Sequence, residues 1–226
     1  EAIFFYQQSV ALLPGSWSVR NELADAYLAA GRSEEAIEVL MESLALTGGN
    51  PRSSSTYYLL GVAYRASGDQ ENSARSLEMS LKLDGNNPPA PAARALLPEV
   101  YQDLGNFGLA GEALAELGTA QRRDGKHEEA AASFGRSADA YRAAEMPEPE
   151  ATSLLTQGEI YLELRDQGNA KLSFERSLEV DSSGIFATQA YFFLGGAASV
   201  SGDHDSAAFF FTQGARIHQQ LGNLEQ

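Results

Sequence analysis

Seven times along the chain a small residue is followed, four positions later, by a large apolar one: Ala2/Tyr6, Ala36/Leu40, Ser73/Leu77, Ala110/Leu114, Ala130/Phe134, Ala170/Phe174 and Ala207/Phe211. The small members are separated by 34, 37, 37, 20, 40 and 37 residues. Residues four apart meet on one face of an α-helix, so each pair predicts a helix with one point of close approach and one bulky filler. Five positions before the small residue stands a glycine (Gly31, Gly68, Gly105, Gly125, Gly202), with Arg165 in that place once. Upstream of the glycine comes a Leu-small pair and then an aromatic, as in Leu23-Ala24…Tyr27 and Leu60-Gly61…Tyr64. A period of this length holds two helices and a turn, and such a unit buries its apolar face only by stacking on its neighbours. Strands would want β-branched alternation, and almost none is present.

The pattern resembles the tetratricopeptide repeat over essentially the whole chain. In that family's numbering a small residue fills position 8, Tyr 11, Gly about 15, Ala 20, a large apolar residue 24 and a small one 27. Here Ala24, Gly61, Gly118, Gly158 and Gly195 stand at position 8, and Tyr27, Tyr64, Tyr101 and Tyr161 at position 11. Pro98, Gln121 and Ala198 depart from it. The resemblance implies an all-α fold, a right-handed superhelical solenoid of antiparallel helix pairs with about twelve helices.

Punctuation fits the pairs. Gly31-Arg32-Ser33, Gly68-Asp69 and Gly202-Asp203 read as short turns inside repeats, where glycine tolerates positive φ past a helix end. Gly48–Ser55 and Asp84–Pro91 read as longer loops between repeats, and Met146–Pro149 breaks a helix after Ala144. Residues 1–16 then form the second helix of a truncated repeat, 17–110 an N-terminal run of repeats and 111–226 a C-terminal run. The 20-residue step leaves room for one helix, and residues 107–124 fit both as a second helix (Ala110, Leu114) and as a first helix (Leu117-Gly118). The two runs are expected to share it.

Charge excludes some functions. With 16 Lys+Arg against 31 Asp+Glu the net charge is −15, which opposes nucleic acid and anionic membranes and suits basic or apolar partners. Without cysteine there is no thiolate catalysis, disulfide or Cys-ligated zinc. His127, His204 and His218 lie far apart at spacings that match no metal motif, and Asp203 reads as an N-cap. No phosphate loop or nucleophile elbow is present. The residues thus name no catalytic group, metal or cofactor. The apolar run Ile185–Val200 is too short and glycine-rich to span a bilayer and reads as a buried helix. Lack of a leader or membrane segment favours the cytoplasm while leaving the compartment open.

The resemblance implies a binding groove lined by first helices. Carried over to this chain, its lining positions are Asn21, Asp25 and Leu28; Tyr58, Val62 and Arg65; Ala95, Glu99 and Gln102; Leu155, Glu159 and Leu162; Phe192, Gly196 and Ser199. Carboxylates at Asp25, Glu99 and Glu159 make an acidic, apolar groove suited to a protein or peptide with apolar anchors and basic residues between them. Asp25 stands where the family's chaperone-tail clamp has Asn, and would repel a carboxylate. The expected function is a non-enzymatic interaction scaffold. Alternatives are a sensor or regulatory module of a larger signalling or transcription-regulating protein, or a self-assembling structural scaffold. Neither end carries a polar capping helix, so Phe4, Phe5, Phe209 and Phe210 are candidates for end-to-end self-association.

Overall fold

Six turns in the chain place a residue in the left-handed region just before a second helix: Gly31 (φ 72°), Gly68 (87°), Gly105 (70°), Gly125 (78°), Gly202 (82°) and, without glycine's freedom, Arg165 (60°). At each one the next backbone N–H reaches back to the carbonyl of the residue at position 11. Asp69 N bonds Tyr64 O at 2.9 Å, and Asp166 N bonds Tyr161 O at 2.8 Å. This closes the end of the first helix. Aspartates then open the second helices: Asp69, Asp166 and Asp203 accept from the backbone N–H of Asn72, Asn169 and Ser206, each at 3.1 Å. These hydrogen bonds hold the Asp69 and Asp166 carboxyls below the usual aspartate range, and the Ser206 hydroxyl together with its N–H does so for Asp203.

The computed structural model describes residues 1–86 and 88–224; Asn87, in the loop expected over 84–91, lies outside the described residues. Among these the chain forms twelve α-helices and no strand: α1 (Ala2–Leu12), α2 (Trp17–Ala29), α3 (Ser33–Thr47), α4 (Ser54–Ser67), α5 (Gln70–Leu83), α6 (Ala90–Asp103), α7 (Phe107–Arg123), α8 (His127–Ala143), α9 (Pro147–Glu163), α10 (Gln167–Val180), α11 (Ile185–Val200) and α12 (His204–Leu224). A 3-10 turn at Pro51–Ser53 precedes α4. Pro147 starts α9, where a missing N–H costs nothing. The fold is an all-α solenoid of antiparallel helix pairs.

The chain divides into two compact units, Glu1–Asn106 and Phe107–Gln226. In the first, α2 packs on α3 and α4 on α5, and the first helices α2, α4 and α6 lie side by side. In the second, α7 pairs with α8, α9 with α10 and α11 with α12, with α9 beside α11.

Two contacts recur inside the pairs. In four pairs a glycine at position 8 of the first helix meets position 24 of the second: a methyl group added at Gly61, Gly118, Gly158 or Gly195 would lie 2.6, 2.9, 2.4 or 2.8 Å from the side chain of Leu77, Phe134, Phe174 or Phe211. Only a hydrogen fits there. A serine at position 27 of the second helix also donates to the carbonyl at position 1 of the first. Ser43 bonds Trp17 O at 3.1 Å, Ser80 bonds Ser54 O at 2.8 Å, Ser137 bonds Gly111 O at 2.8 Å and Ser177 bonds Ala151 O at 3.3 Å. Each hydroxyl is buried, so its hydrogen bond offsets the cost of leaving water.

Candidate functional site

Close packing turns one face of each first helix inward, and the remaining positions decide what a partner would meet. In the first unit Asp25 is exposed and, with Trp17, Ser18, Asn21, Glu22, Ser55 and Leu59, lines a recess of about 320 Å³. Asn21, expected beside it as a contact residue, stands at the floor of this recess and is 7% exposed. Its amide donates to Thr56 Oγ1 at 3.0 Å and accepts from Ser43 Oγ at 2.8 Å. A buried polar network of this kind fixes α2 against α3 and α4. Leu28 is half-buried against the core formed by Leu23, Tyr27 and Leu40. Tyr58 and Val62 are half-buried on α4, while Ala95 and Gln102 on α6 are exposed.

Two of the carboxylates expected to face a partner share arginines of this chain. Glu99 accepts from Arg65 at 2.8 Å, and Asp103 stands 3.9 Å from the same guanidinium. In the second unit Arg122 pairs with Glu163 and lies 3.7 Å from Glu159, and His127 Nδ1 lies 3.1 Å from Glu163. The hydrogen bond from Arg122 holds the Glu163 carboxyl below the usual glutamate range, and the same bond raises the Arg122 guanidinium. Of the three carboxylates at position 9, Asp25 alone has no ion pair among the described residues.

Leu155, also expected in the groove, is deeply buried. It is 4% exposed and sits in the core with Ala170, Phe174, Ala190 and Leu194, because α10 and α11 close over that side of α9. Leu162, Phe192 and Gly196 do come together. With Phe193, Ala197 and Val200 of α11 they line an open apolar pocket of about 520 Å³, with Arg165 and Gln167 also on its wall. Helix α11 is therefore not the buried element its composition suggests. One face packs Leu194 and Phe193 on the core, and Phe193 stacks on Phe174 at 5.0 Å and 7°. The other leaves Phe192 45% and Val200 79% exposed. Sequence reasoning missed Arg165, Gln167 and Val200; the break in the glycine pattern at Arg165 was the available signal.

The aromatic candidates separate. Phe4 and Phe5 are 58% and 61% exposed on α1, edge to face at 5.9 Å, and Phe209 is 56% exposed. Phe210 instead packs against the core around Leu194. Among the described residues no group of His, Asp or Glu is placed to hold a metal ion, and no helix is long and apolar enough to cross a membrane.

Two segments match family models described as tetratricopeptide repeat, residues 17–85 and residues 151–183. No curated protein matches the chain. Among solved structures the fold is similar to the TPR-like repeats of a putative kinesin light chain from Podosopora anserina, at 20% identity over 92% of this chain and 97% of that one, with a TM-score of 0.48. It is also similar to MamA from Desulfovibrio magneticus RS-1, at 19% identity over 90% and 96%, TM-score 0.46. YrrB, described as a TPR protein with an unusual peptide-binding site, is 16% identical over 82% and 96%, TM-score 0.43.

Proposed function

Given that the chain is a tetratricopeptide repeat protein, we propose that it is a non-enzymatic scaffold that holds a peptide or protein partner on the inner faces of its first helices. The observation that carries this reading is the convergence of Leu162 on α9 with Phe192 and Gly196 on α11 around one open apolar pocket. Its volume of about 520 Å³ falls in the range of about 300–1,000 Å³ typical of ligand sites. An apolar side chain entering it would remove exposed Phe192 and Val200 surface from water, the usual source of anchor-residue affinity. The recess around Asp25 and Glu22 is a second point of contact, suited to a basic or apolar partner residue.

The test is selection from a random phage-displayed peptide library with the whole chain immobilised. Enriched peptides are expected to lose about tenfold or more in affinity, about 1.4 kcal/mol per tenfold, against Phe192→Asp. Failure to enrich any sequence, or enriched peptides all indifferent to Phe192→Asp, overturns the reading.

End-to-end self-association is a second reading, favoured by the exposed Phe4–Phe5 pair on α1. Sedimentation of the wild type beside Phe5→Glu is expected to show concentration-dependent mass in the wild type alone. Monomers throughout for both would remove it.

A further inference from the structure

Arg165 occupies a place where five equivalent turns carry glycine, and it does so at φ 60°. Glycine alone takes that conformation without steric cost, and strained residues of this kind gather at functional sites. Arg165 also lies on the wall of the apolar pocket, beside Leu162, Phe192 and Val200. Among the described residues it forms no ion pair, in a chain with 31 acidic residues against 16 basic ones.

The carboxylates nearest in sequence are engaged elsewhere. Glu163 is held by Arg122, with His127 Nδ1 3.1 Å away. Asp166 caps α10, accepting from Asn169 N at 3.1 Å and from Asn169 Nδ2 at 2.6 Å. The other cation on this edge, Lys171, lies 3.7 Å from Glu175. Arg165 is thus an uncompensated cation at an apolar pocket, and a guanidinium there recognises a carboxylate with charge-assisted hydrogen bonds.

We propose that this pocket takes an apolar side chain of a peptide segment whose adjacent Asp or Glu pairs with Arg165. The proposal rests on the scaffold reading above and narrows it. The local charge therefore selects an acidic partner segment at this pocket, opposite to what the net charge of −15 suggests for the chain as a whole.

Arg165→Gly makes the test clean, because it removes the guanidinium while relieving the backbone. The variant is expected to melt no lower than the wild type, yet to bind the selected peptides about tenfold or more weakly. Those peptides are expected to carry Asp or Glu beside their apolar anchor. Arg165→Glu is expected to regain affinity for a synthetic peptide in which that acid is replaced by Lys. Peptides dependent on Phe192 but carrying Lys or Arg beside the anchor, or binding Arg165→Gly as tightly as the wild type, overturn the inference and leave the scaffold reading standing. If no selected peptide depends on Phe192, both fall.

Discussion

Phe174→Ala is expected to destabilise the second unit by about 3–5 kcal/mol, the usual cost of truncating a buried phenylalanine. Its ring is fully buried, lies under Gly158, where an added methyl would come within 2.4 Å, and stacks on Phe193 at 5.0 Å. Alanine would leave a cavity bounded by three helices, and the lining can collapse only partly. Against a domain stability of about 5–15 kcal/mol, the midpoint of urea unfolding should fall steeply. Phe193 also lines the pocket, so the same variant should weaken peptide binding. A loss below about 1 kcal/mol would place Phe174 outside a packed core.

Gly118→Leu is expected to cost about 1–3 kcal/mol or more, by overpacking rather than by loss. A methyl on Gly118 would lie 2.9 Å from the Phe134 ring and 3.3 Å from the Ala130 carbonyl of α8. The ring can move; the carbonyl moves only with its helix. The double variant Gly118→Leu/Phe134→Ala should lose less than the sum of the two single losses, since leucine fills space that the ring vacates. Additive losses, or an unchanged melting temperature in Gly118→Leu, would show that α7 does not meet α8 at that point.

What was legible in the sequence is what repeats. The small-large pairs, the glycine turns and the aspartate caps depend on residues within one helix pair, so their spacing predicts the helices closely. Legibility failed where one repeat meets the next. Position 5 is buried at Asn21 and Leu155 yet exposed at Ala95 and Phe192, because its surroundings come from neighbouring repeats. The pairs Arg65–Glu99 and Arg122–Glu163 join residues 34 and 41 apart, and no periodicity in one helix announces them. They give two of the three position-9 carboxylates an arginine partner within the chain. The pocket was half legible, through Leu162, Phe192 and Gly196. Its arginine was visible as an exception whose meaning needed the φ angle and the wall of the pocket.

The two contacts that recur inside the pairs also bear on how the chain reaches its native state. Each glycine meets its large partner across 16 residues (61 to 77, 118 to 134, 158 to 174, 195 to 211), and each serine its carbonyl across 26. Closing so short a loop costs little chain entropy, and chains dominated by local contacts fold fast for their size. A helix pair can therefore zip before its neighbours are in place and serve as the surface on which the next one docks. Damage at one such contact then slows or loosens its own pair first, and the array loses structure from that pair outward.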